Sequence, residues 1–128
     1  MTTLPITSIF AAVFAVSLVA LSLPVSLRRA KVGEMVGDGV DETLRRRIRA
    51  QGNFIEYVPL GVISLGLVEA HAVPVWIVVA IGATLASGRL LHAIGMLGGS
   101  APARGFGMLL TYAALLVAAG RLVMNTAL

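Results

Sequence analysis

Long apolar runs separated by short polar stretches divide the chain into four segments, at about residues 4–27, 50–70, 74–96 and 105–125. Each matches the roughly 20 residues that a helix needs to cross a bilayer. The first carries no charged residue. It lacks a basic leader and its apolar stretch is longer than the ~7–15 residues of a signal peptide core, so it is expected to be a retained span. Pro24 stands near its end, where it can kink the helix. The stretch Arg28 to Asp41, "RRAKVGEMVGDGVD", is polar and glycine-rich and reads as a loop. Asp41 suits a helix N-cap and Glu42 suits the first turn beside the helix dipole. A second helix is therefore expected from about Asp41, its first two or three turns lying outside the hydrocarbon. Pro59 within it predicts a local bend. "EAHAVP" (Glu69 to Pro74) and "LGGSAPARG" (Leu97 to Gly105) are the remaining connections. Short connections between four spans predict an all-α, antiparallel four-transmembrane-helix bundle.

Composition supports this reading. The chain of 128 residues is 58% hydrophobic and 12% charged, against about a quarter charged in soluble domains. Its mean hydropathy is +0.94. The net charge of +4 rests on arginine with a single lysine, Lys31. These charges lie mainly between apolar segments, so membrane topology explains them better than nucleic-acid binding. Arg28, Arg29, Lys31, Arg45, Arg46, Arg47 and Arg49 cluster after span one, and Arg89 and Arg104 flank or occupy the third connection. The positive-inside rule then places these loops in the cytosol and both termini on the opposite side. Arg121, near the far end of span four, can snorkel to the interface. The absence of cysteine excludes disulfides, thiolate metal sites and a cysteine nucleophile.

The polar residues at the start of span two are the candidate chemistry. Arg49, Asn53, Glu56 and Leu60 are spaced i, i+4, i+7 and i+11, one narrow arc of a helix. Tyr57 flanks the arc. Arg89 and His92, three residues apart on span three, lie at the same depth and Met96 follows on their face. Taken singly, each has an ordinary structural use as an ion pair, interhelical hydrogen bond or solvated charge. Together a guanidinium, an amide, a carboxylate and a phenol suit a small zwitterion with more than one carboxylate.

The string "RIRAQGNFIEYVPL" resembles the signature of the MAPEG family, membrane proteins of eicosanoid and glutathione metabolism, through Arg49, Ala50, Gln51, Asn53, Glu56, Tyr57 and Pro59. "GRLLHAIGMLGGSAPARGFGMLLTY" is similar to the family's third span, following loop and start of the fourth span. The resemblance implies a homotrimer of four-helix protomers in a membrane, here the inner membrane of a bacterial cell. It implies glutathione as co-substrate, held between neighbouring subunits near the cytosolic face. Arg49, Gln51, Asn53, Glu56 and Tyr57 match glutathione-contacting positions; Arg89 matches an arginine of the family's span three, and with His92 on the same face it joins the candidate glutathione-binding residues. Arg28, with Arg29 as a near alternative, matches a basic residue reaching in from the adjacent subunit. Arg104 resembles the arginine beside the thiol in active members. The implied activity is attack of the glutathione thiolate on a lipophilic electrophile or lipid hydroperoxide arriving from the bilayer. Where studied members carry tyrosines on span three, this chain has His92 and Met96, which points to the alternative of a non-catalytic scaffold or lipid-binding protein. A small transporter is the least favoured reading, since ionisable residues are absent from mid-membrane positions.

Overall fold

The computed structural model describes residues 3–126. Four helices follow one another, α1 (Pro5–Val32), α2 (Glu42–Ala70), α3 (Val75–Gly98) and α4 (Ala101–Thr126). All four are long and apolar enough to cross a membrane. The outward surface is correspondingly apolar, with Val16 71% and Leu116 72% exposed. Such a surface suits acyl chains as its solvent, not water.

The helix ends follow local chemistry. Asp41 accepts from the Leu44 N–H and caps α2. Pro5 opens α1, where its missing N–H costs nothing. No side chain at Leu4 caps α1. The task falls to Glu69 at the far end of α2, whose carboxylate accepts from the backbone N–H groups of Ile6 and Thr7 at 3.0 and 2.7 Å. Gly33 ends α1 at φ +78, and its N–H donates to the Arg29 carbonyl. A left-handed residue of this kind is the usual glycine stop.

Two boundaries depart from the sequence expectation. α1 continues past Leu27 to Val32, because Arg28, Arg29 and Lys31 are competent helix formers and only Gly33 stops the turn. The third connection is only Gly99 and Ser100, so α4 begins at Ala101 and not at about residue 105. Ser100 Oγ accepts from the Ala103 N–H, and Pro102 occupies the first turn that tolerates it. α2 is continuous through Pro59.

α3 packs most extensively on α4, α2 contacts every other helix, and α1 is held by α2 with a slighter contact to α3. Phe14, Phe54, Val58, Leu85 and Ala114 form one apolar cluster. Leu65, Val68, Val73, Val78, Ile81 and Ala118 form another toward the short α2–α3 connection. Glycine sets the closeness of α3 to α4. A Cβ on Gly107 would lie 2.5 Å from the His92 nitrogen and 2.7 Å from the Gly88 carbonyl oxygen. This is the backbone approach that small residues permit between membrane helices.

Candidate functional site

The α3–α4 seam delivers Arg89 into the bundle interior, 3% exposed. Its Nε and Nη2 donate to Thr111 Oγ1 on α4 at 2.9 and 2.6 Å. Nη1 donates to Asn53 Oδ1 on α2 at 2.5 Å and, more weakly, to the Asn53 carbonyl at 3.4 Å. The guanidinium carbon stands 5.2 Å from the ring centre of Tyr57, a cation–π distance. Tyr57 in turn meets Tyr112 of α4, hydroxyl to hydroxyl at 3.3 Å. Among the described residues no carboxylate pairs with Arg89. Its charge is held by neutral oxygens and a π face, and every such contact restricts its orientation.

Asn53 connects this interior cluster to an open groove of about 360 Å³. Arg49, Gly52, Asn53 and Glu56 form one wall of it, with Asp38 from the first loop and Met96 from α3 opposite. Three residues of the predicted arc, Arg49, Asn53 and Glu56, share this cavity; the fourth, Leu60, is exposed outside its lining. Arg49 and Glu56 are both exposed there. Arg104, on the first turns of α4, points Nη1 toward Met96 Sδ at 3.9 Å, so its guanidinium reaches the groove's rim through the methionine.

Other predicted residues stand elsewhere. Gln51 donates from Nε2 to Ser22 Oγ of α1 at 2.7 Å, on a different side of α2 from the groove. Two residues are about 200° of helix, so the position of Arg49 and Asn53 on the groove turns Gln51 away from it. Arg28 forks onto Asp41 through Nε to Oδ1 at 3.0 Å and Nη2 to Oδ2 at 2.7 Å. The Arg28 guanidinium and the Leu44 N–H together hold the Asp41 carboxyl down at about 2. Arg28 thus fastens the first loop to α1 within its own chain. His92 is buried, 4% exposed, where α3 meets Gly107 of α4, and does not line the groove. Sequence reasoning missed Thr111, Tyr112 and Asp38. Only the packing of α4 against its neighbours brings Thr111 to Arg89 and Tyr112 to Tyr57.

The arrangement of Arg49, Asn53 and Glu56 on α2, with Arg89 behind them on α3, accompanies a family match over residues 6–124. The chain belongs to the MAPEG family. The inner membrane protein YecN of Escherichia coli is 30% identical to it over 90 residues, 70% of this chain and 69% of YecN, in each of two strains. With four helices able to span a bilayer, this MAPEG member is a multi-pass membrane protein of the inner-membrane kind.

Proposed function

We propose that this MAPEG protein binds glutathione in the groove of Arg49, Asn53 and Glu56 and activates its thiol toward a lipophilic electrophile or lipid hydroperoxide. The observation that carries the reading is that groove, with a cation, an amide whose orientation is set by Arg89, and a carboxylate on a single wall. Glutathione offers two carboxylates for Arg49 and neighbouring cations, an ammonium for Glu56, and peptide groups for Asn53. A free thiol near pKa 8.5 is mostly protonated at neutral pH, and a guanidinium beside it favours the thiolate. Arg104 is our candidate for that charge, supported by its reach to Met96 at the groove's rim. In conjugation the thiolate sulfur forms a bond to the electrophilic carbon, and the displaced electron pair leaves with a leaving group or stays on the neighbouring atom, which is then protonated. With a hydroperoxide the thiolate attacks the terminal oxygen, the O–O bond breaks and the lipid alcohol departs with a proton, and a second glutathione converts the resulting sulfenic acid to the disulfide and water.

Arg28 and Gln51 lie away from the groove on the α1 side, so one protomer does not collect all the predicted contacts. A homotrimer supplies them if the α1 side of one copy adjoins the groove of the next. A separate apolar groove of about 380 Å³, with Phe14, Phe54 and Leu90 on its walls and Arg89 at one side, offers a seat for a lipophilic partner. The same groove supports the second reading, a lipid-binding or scaffold protein without catalysis. The positive-inside pattern adds that the groove faces the cytosol. The test is glutathione conjugation to an aromatic electrophile by the purified protein. Turnover that depends on Arg49 and Arg104 supports catalysis; no turnover despite glutathione binding selects the scaffold.

A further inference from the structure

At the opposite end of the bundle from the groove, α3 and α4 form a second feature that the proposed activity does not use. A groove of about 400 Å³ runs between them, floored by Ala80, Ala113 and Ala114. It exists because these side chains are too small to fill the space between the two helices. Thr84, its one hydroxyl, already donates to the Ala80 carbonyl at 2.7 Å, so the floor asks for no polar partner. Trp76 stands at the mouth, 71% exposed, near the start of α3. Arg121 of α4 closes the same end, because the two helices run antiparallel.

Arg121 has a cation to satisfy. Its Nε is buried and meets no acceptor among the described residues. One turn later Asn125 Nδ2 is buried in the same condition. The acid of this region, Glu69, already accepts from the Ile6 and Thr7 N–H groups, and neither ion pair among the described residues includes Arg121. Arg121 as a whole is half-buried, so the cost lies in the unmet Nε donor.

We propose that this groove is a binding site for an anionic phospholipid, its phosphate on Arg121 and one acyl chain laid along Ala80, Ala113 and Ala114. Trp76 and Arg121 mark the headgroup level, where tryptophan and arginine both settle. From Trp76 to Thr84 a helix rises about 12 Å, enough for the upper part of one chain. A negative headgroup complements the uncompensated guanidinium, whereas a zwitterionic one brings its own cation into competition.

The experiment is native mass spectrometry of the purified protein in detergent, titrated with phosphatidylglycerol and phosphatidylcholine of matched chains. Wild type is expected to hold phosphatidylglycerol about fivefold more tightly, the scale of one arginine acting on an anionic lipid. Arg121→Gln is expected to lose the preference and Arg121→Lys to keep most of it. Ala113→Phe, at an exposed position, is expected to displace both lipids from the groove while thermal unfolding stays near wild type. Equal retention of the two lipids by wild type, or unchanged retention by Arg121→Gln and Ala113→Phe, overturns the proposal. So does a change in oligomeric state on Ala113→Phe, which would make the groove a contact between copies.

Discussion

Arg89 of α3 reaches across the bundle to Asn53 of α2 and holds the asparagine by both its side-chain and backbone oxygens. A buried cation therefore sets the amide that one wall of the groove presents. Thr111 completes the hold by accepting two of the arginine's N–H groups while donating its own hydroxyl proton to the Gly107 carbonyl. Thr111→Val keeps the shape and removes the oxygen. Leaving buried donors without a partner costs about 1–3 kcal/mol. Thermal unfolding in detergent should fall accordingly, and glutathione affinity should fall with it because Asn53 loses its anchor. Unfolding unchanged by Thr111→Val would show that Arg89 finds other partners.

The α3–α4 seam yields a sharper steric test. Gly107→Ala drives a methyl group into the backbone of His92 and Gly88, neither of which is the yielding end of a side chain. Overpacking of this kind costs about 1–3 kcal/mol. Gly120→Ala, on the same helix with nothing within 4 Å, is the matched control and should be neutral or slightly stabilising. Comparison of the two by thermal unfolding checks the close approach of the helices.

The Arg28–Asp41 pair makes a pH prediction for the first loop. The carboxyl of Asp41 sits near 2 in the folded chain, below its ordinary value near 3.8. A depressed carboxylate contributes stability above the unfolded value and loses it as pH falls through the folded one. The stability gap between wild type and Asp41→Asn should therefore be flat above about pH 5 and close between about pH 4 and 2. Both side chains can cap α2, so the gap reports the ion pair rather than the cap. A gap undiminished at pH 2 would contradict the assignment.

Arg104 has a kinetic signature. If its guanidinium lowers the pKa of the glutathione thiol, Arg104→Ala raises it, and one pKa unit is a tenfold change in thiolate at neutral pH. Conjugation at pH 7 should fall by about that factor and recover as pH approaches 9. An equal loss at both values would assign Arg104 to binding instead.

Four spans, the Asp41 cap and the Arg49–Asn53–Glu56 arc were legible from spacing, since hydropathy and helical period are local properties of the chain. Local signals also misplaced the start of α4. A run of glycine, serine and proline reads as a loop, yet Ser100 and Pro102 are the residues that begin a helix. Contacts made by helix crossing left no local trace. Thr111 lies 22 residues from Arg89, and Glu69 lies 63 from the Ile6 N–H that it accepts. Gln51 matches the family pattern, yet its helical phase separates it from Asn53, and the structure follows the phase.

Calorimetry with purified protein asks most directly whether the groove of Arg49, Asn53 and Glu56 is a glutathione site. Wild type should bind glutathione saturably at millimolar concentration or below, and Glu56→Gln should bind about tenfold more weakly, the scale of one charge-assisted hydrogen bond. No heat of binding with wild type at millimolar glutathione, or identical binding by Glu56→Gln, would contradict it.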